Sequence, residues 1–110
     1  MVGIDLGTTH SSVALLRDAE VHVIQNTHDE VLTPSAVALD PHSGKMLVGR
    51  AAKDLLSLHP ERGASSFKRW IGTSRTQRIG DREFNATELS AFVLDALRAD
   101  AERALGKRVE

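Results

Sequence analysis

The chain has 110 residues, 41% of them hydrophobic, with 14 basic and 15 acidic side chains and no cysteine. That length allows one small domain or a piece of a larger one, and the near balance of charge excludes a whole-domain field that draws in nucleic acid or an anionic membrane. Without cysteine there is no disulfide, thiolate nucleophile or zinc-thiolate site, and three Phe, one Trp and no Tyr leave little for a base-stacking surface.

The start shows no basic stretch followed by an apolar signal core, and no apolar run approaches membrane-spanning length, so a soluble cytoplasmic protein is expected. His10, His22, His28, His42 and His59 are scattered without ligand spacing and read as surface or loop residues.

In chain order, Met1–Leu6 is the first expected strand. It carries Asp5 within a short apolar run and stops at Gly7-Thr8-Thr9-His10. A buried lone carboxylate costs several kcal/mol unless cations or donors meet it, which suggests that Asp5 faces a site. Gly7 permits a tight turn, and its N–H with those that follow and the Thr8 and Thr9 hydroxyls form a donor cluster suited to phosphate. Asp5 could then hold a hydrated Mg²⁺ beside that phosphate. An ordinary hairpin, with Asp5 capping its turn, fits the spacing equally well.

Ser12–Arg17 is a second strand, apolar on both faces and so expected to be covered on both. Asp18-Ala19 connects it tightly to Glu20–Gln25, the third member of a meander. A hairpin thus follows the glycine-threonine loop, unlike the nucleotide sites in which the phosphate loop opens a helix. Asn26–Glu30 is turn-like, and Thr33-Pro34-Ser35 is a stiff exit from the first sheet. Strands are expected at Ala36–Leu39 and Met46–Val48, and a helix from Gly49 to Leu58 with Ala51, Ala52, Leu55 and Leu56 on one face. Glu61–Ser65 reads as loop. In Ser66–Gly72, one helical turn would bury Phe67, Trp70 and Ile71 and aim Lys68 and Arg69 outward, a solvated cationic face on the residues alone. Gln77–Phe84 reads as a hairpin around Gly80-Asp81. The closing helix has an Asn85/Glu88 capping box, an apolar stripe of Leu89, Phe92, Val93, Ala96, Leu97, Ala101, Ala104 and Leu105, and a stop at Gly106.

Gly3-Ile4-Asp5-Leu6-Gly7-Thr8-Thr9 followed by His10-Ser11-Ser12 resembles the first phosphate loop of the seventy-kilodalton heat-shock chaperones, the DnaK-like branch of the actin-like ATPases. The likeness continues in order through Thr33-Pro34-Ser35, Leu47-Val48-Gly49, Ala51-Ala52-Lys53, His59-Pro60, Phe67-Lys68-Arg69, Ile71-Gly72, Glu88-Leu89-Ser90, Val93-Leu94, Ala101-Glu102 and Leu105-Gly106. The insertion between Gly72 and Phe84-Asn85-Ala86 resembles the HscC-type members. The opening motif alone is shared with sugar and polyol kinases of the same superfamily, which do not account for Phe67-Lys68-Arg69. A non-catalytic interaction module that keeps half the fold is a third possibility.

The resemblance implies an α/β, actin-like ATPase (ribonuclease H-like) fold. This chain would be a lobe I fragment with an antiparallel three-strand start, helices and a small inserted α+β subdomain. Residues 1–35 and 86–110 would be the lower half of lobe I, and 36–85 the upper half. It also implies ATP or ADP with Mg²⁺, and K⁺ as a further ion. Asp5 would reach the metal through water, and Gly7, Thr8, Thr9 and His10 would hold the phosphates. Lys68 would extend toward the γ-phosphate and the attacking water, which overturns its reading as a solvated cation; a cation there stabilises charge on the transferring phosphoryl group. Arg69 fits the neighbouring family arginine, serving cleft structure or lobe contacts. The partners implied are unfolded peptide clients and co-chaperones, acting through the complete parent protein. His10 departs from the family's usual Asn. The family's second phosphate loop, further carboxylates, adenosine pocket and peptide-binding domain would lie beyond Glu110. The 110 residues alone are therefore expected to be inactive in ATP hydrolysis, and to self-associate or else be only marginally stable.

Overall fold

Strands β1 (Val2–Leu6), β2 (His10–Arg17) and β3 (Glu20–Val23) form the antiparallel meander that their patterning predicts, in a computed structural model that describes residues 1–106. Val2 pairs with Leu15 and Leu6 with Ser11 on one side of β2; Ala14 pairs with Val23 and Arg17 with Glu20 on the other. Asp18 and Ala19, at φ 52° and 62°, make a two-residue left-handed connection, whose twist matches that of the flanking strands. β3 spans only Glu20–Val23, short of the expected Gln25, and Ile24, facing the core, adds one further bond of the same ladder by donating its N–H to the Val13 carbonyl at 2.9 Å. Asn26 then organises the following turn. Its Oδ1 accepts from the His28 and Glu30 N–H groups, and its Nδ2 donates to Thr33 Oγ1 at 3.0 Å.

Thr33-Pro34 does not simply leave the sheet. It forms β4 (Thr33–Pro34), with Thr33 opposite Ser11 and Pro34 opposite His10. The missing donor of proline is tolerated at such an edge.

Beyond Ser35 the second sheet begins, with β5 (Ala36–Leu39) between β6 (Met46–Val48) and β7 (Gly63–Ser65). Glu61–Ser65, expected as loop, instead joins a 3-10 turn over Pro60–Arg62 to this third strand. Gly63 makes the pairing possible: a Cβ there would run into the Val37 carbonyl and lie 2.7 Å from the Ala38 Cα. The alternation in β5 serves two layers. Val37 faces the main core, while Ala36 and Ala38 meet Ala52 of α1 (Arg50–Leu58), with Leu47, Leu55 and Leu56 packed around them. Small residues on both elements let helix and sheet approach closely.

A second 3-10 turn, Phe67–Trp70, buries Phe67 and Trp70, whose three-residue spacing places them on one side of it. Ile71 was expected to join them but is 49% exposed, because its backbone (φ −58°, ψ 131°) has already left the helical region. The hairpin β8 (Thr76–Ile79) and β9 (Arg82–Asn85) turns at Gly80-Asp81 as anticipated. It leads directly into α2 (Ala86–Leu105), which has the expected reciprocal cap: the Glu88 N–H donates to Asn85 Oδ1 at 2.8 Å and the Asn85 N–H to Glu88 Oε1 at 3.0 Å. Gly106, at φ 70°, ends the helix. Leu89, Val93, Leu97 and Ala101 are fully buried, and each large side chain contributes roughly 1.5–3 kcal/mol. Ala104 falls off the stripe into solvent, since Leu105, four residues after Ala101, takes the inward place.

α2 covers only one face of the first sheet. Val13 and Leu15 are buried beneath it, whereas Leu16 is 43%, Val23 52% and Val21 68% exposed on the other. The expectation of cover on both faces of β2 is therefore corrected: no described element lies over Ala14, Leu16, Val21 and Val23. Asp5 lies on the same outer face, opposite Ser12, and is exposed, so it does not bear the desolvation cost that its apolar neighbours suggested. Among the described strands β1 also has a free edge. Apolar faces and unpaired edges favour association. The isolated 110-residue polypeptide is expected to associate or to be marginally stable; light scattering across a concentration series with parallel thermal melts will check this, and a cooperative, concentration-independent monomer would refute it.

Candidate functional site

The turn between β1 and β2 is shaped by Gly7. A Cβ there would strike the His10 carbonyl oxygen, so the backbone can fold back on itself only without a side chain. Thr8 is partly buried, while Thr9 and His10 are exposed, which leaves donor groups at the surface. His10 Nδ1 lies 3.3 Å from Thr9 Oγ1.

Ser35 fastens this loop. Its hydroxyl donates to the Gly7 carbonyl at 2.9 Å, and its N–H donates to the Thr9 carbonyl at 2.9 Å. Because the Ser35 proton is committed to Gly7, the 2.8 Å contact with Ser11 Oγ must have Ser11 as donor. Ser11 and Ser35 are both buried, where an unmade hydrogen bond is costly. The Ser35 carbonyl accepts from Ser66 N–H at 3.3 Å, at the entrance to the turn that carries Lys68. Ser66 itself sits at φ 54°.

Lys68 closes the arrangement. Its Nζ donates to the Leu6 carbonyl at 2.6 Å, across 62 residues of sequence, at the root of the Gly7 loop. Asp5 precedes Leu6 and makes no side-chain hydrogen bond or ion pair among the described residues. Asp5, His10 and Ser12 share the outer face of the sheet, by strand alternation and by the pairing of Asp5 with Ser12. Arg69 is exposed on the same turn as Lys68.

A cavity of about 510 Å³ opens beside the loop, between it and α1. Thr9 and His10 line it together with Pro34, Ser35, Lys53, Leu56 and Ser66. Asp5, Gly7, Thr8 and Lys68 are not in its wall. The structure thus gathers Asp5, Gly7, Thr8, Thr9, His10 and Lys68 at one end of the sheet, but only Thr9 and His10 face this concavity. Among the described residues no group of three or more His, Cys, Asp or Glu side chains is placed to hold a metal directly.

A family model described as "Hsp70 protein" matches residues 1–79. The chain belongs to the Hsp70 family. It is 46% identical over 111 residues to the protein named Chaperone protein DnaK of Thermotoga neapolitana and to its namesake in Thermotoga maritima, and 44% identical to that of Thermosipho africanus. Each match covers 100% of this chain and 18% of the relative, so the chain spans under a fifth of the length of these Hsp70 relatives. A likeness along the whole chain sets aside the sugar-kinase alternative, which rested on the opening motif alone.

Reading the sequence for chemistry missed Ser11 and Ser35. A serine carries no charge or ligand pattern, and the only signal was Ser35 following Thr33-Pro34 at the junction of two strands. Ser35→Ala should lose about 1–3 kcal/mol, since it strands the Ser11 hydroxyl and the Gly7 carbonyl, while Ser11→Ala should lose less because Ser35 keeps its donor bond. Denaturant unfolding of the two variants against the parent chain will check the order; equal or negligible effects would show that the loop is held by its backbone bonds alone.

Proposed function

We propose that these residues form one wall of the nucleotide site of an ATP-hydrolysing molecular chaperone with an actin-like ATPase fold, acting on unfolded peptides with co-chaperones. The observation that carries this reading is the contact between Lys68 and Leu6. A cation from the turn that follows the second sheet is delivered to the root of a glycine-threonine loop, one residue along the chain from a carboxylate without a partner among the described residues. Phosphoryl transfer depends chiefly on positioning and charge stabilisation, and this set supplies both. On this reading residues 1–35 and 86–110 are the lower half of lobe I and 36–85 the upper half; the last four, 107–110, lie outside the described residues.

The donor set fits the groups implied. Asp5 offers free, exposed carboxylate oxygens, hard donors suited to a hydrated Mg²⁺ at one remove. Gly7, Thr8, Thr9 and His10 offer backbone N–H groups and hydroxyls to phosphate oxygens. When bound, the metal would neutralise charge on the phosphates. Lys68 would leave the Leu6 carbonyl for the more negative phosphoryl oxygen and orient the attacking water, an interaction strongest in the transition state. A non-catalytic interaction module would need neither the free carboxylate nor the delivered lysine.

In the natural chain that carries these residues, Lys68→Ala should depress single-turnover hydrolysis severely while ATP affinity stays within about tenfold of the parent. An unchanged rate would return Lys68 to a solvated cation. The 110 residues alone supply one wall and are expected not to turn over ATP. Mg²⁺-dependent multiple turnover by the highly purified polypeptide, abolished by Asp5→Asn, would overturn that expectation.

A further inference from the structure

The imidazole of His10 is placed to do more than end a turn. Its backbone carbonyl is pressed against Gly7, which fixes where the side chain starts. Nδ1 is held at 3.3 Å from the Thr9 hydroxyl, and Nε2 has no hydrogen-bond partner among the described residues. The ring is exposed and lines the cavity of about 510 Å³ beside the loop, together with Thr9. Among ordinary side chains, an imidazole is the one that gains a charge between pH 5 and 8. Neutral, the ring has one N–H to offer; protonated, it has two, and a positive charge. With Nδ1–H directed at Thr9 Oγ1, the threonine proton is released toward a ligand, and Nε2–H is free to follow it.

The charged groups at this end of the sheet come from three elements. β1 brings Asp5 on the shared outer face, α1 brings Lys53 across the cavity, and the 3-10 turn brings Lys68, with Arg69 beside it. β4 and β7, also at the cavity, contribute no charge: their residues are Thr33, Pro34, Gly63, Ala64 and Ser65. Of these charged groups only Lys53 lines the cavity with the ring, and its charge favours an anionic occupant there.

We propose that the His10 side chain is a proton-dependent contact for the terminal phosphate groups of the nucleotide bound at this loop. The proposal rests on the reading of the loop as a phosphate site. It adds a side-chain contact, strengthened in the charged ring, to the backbone contacts already assigned there. Tighter ATP binding in mildly acidic conditions follows.

The test is calorimetric titration of the natural chain with MgATP at low salt, at pH 5.5 and pH 8, for the parent, His10→Asn and His10→Lys. Comparing parent with His10→Asn at each pH cancels the protonation of the phosphates themselves. The parent-to-Asn affinity ratio should be about fivefold higher at pH 5.5 than at pH 8, the factor one unit charge exerts on another at about 4 Å in water. His10→Lys should hold the tighter affinity at both. AMP, which lacks the terminal phosphates, should show no difference between parent and His10→Asn. A parent-to-Asn ratio that does not change with pH, with binding intact, would overturn the contact and leave the phosphate loop standing. His10→Lys binding no better than His10→Asn would do the same. Failure of all three proteins to bind MgATP at either pH would refute the phosphate-loop reading and this inference with it.

Discussion

Everything near the loop depends on one buried serine at the junction of two sheets. Ser35 spends each of its polar groups there. Its N–H and hydroxyl hold the Thr9 and Gly7 carbonyls, its oxygen accepts from Ser11, and its carbonyl receives Ser66 N–H. Chains of hydrogen bonds in low dielectric strengthen one another, and a partly satisfied chain is costly. The loop and the lysine turn are consequently fixed to the same residue as well as to each other through the Lys68–Leu6 contact. The distance between them is set by the width of one backbone unit, which is a firmer constraint than two independently mobile loops would provide.

That arrangement needs the second sheet to sit close to the first. β5 follows Ser35 directly, and Gly63 brings β7 so near that no side chain would fit between β7 and β5. β7 ends at Ser65, and the 3-10 turn begins two residues later, anchored by Phe67 and Trp70 in the core. Arg75 lies 4.0 Å over the Trp70 ring on the outer side, adding a cation–π contact to the same anchor. Lys68 is therefore aimed by the burial of its aromatic neighbours. It points outward because they point inward.

Much of this was legible from residue patterns. The meander, the Gly80-Asp81 hairpin and the capped α2 follow from period, turn chemistry and a reciprocal Asn85–Glu88 cap, all local signals. Gathering Asp5, the loop and Lys68 at one end came from the resemblance to a known family, since no spacing rule connects positions 62 residues apart. The misreadings were of tertiary origin. Gly63–Ser65 is a strand only because β5 is already there to pair with it, and Ile71 is exposed because the turn stops one residue too soon. Asp5 was judged by the apolar residues beside it in sequence, when the outer face it lies on has no described cover.

The open outer face and the site are two aspects of one feature. Apolar Ala14, Leu16, Val21 and Val23 share that face with Asp5, Ser12 and His10, and strand alternation puts the polar members toward the loop end and the apolar ones toward the Asp18-Ala19 turn. An occupant lying across the apolar end would exclude water from beside the polar end as well. On the proposed nucleotide reading, the screening of Lys68 by solvent would then fall and its attraction for a phosphate would grow, while Asp5 would repel a phosphate more strongly unless a cation lay between them. On that proposed reading the strength of the site is coupled to what covers the sheet, although the covering element need not touch the nucleotide.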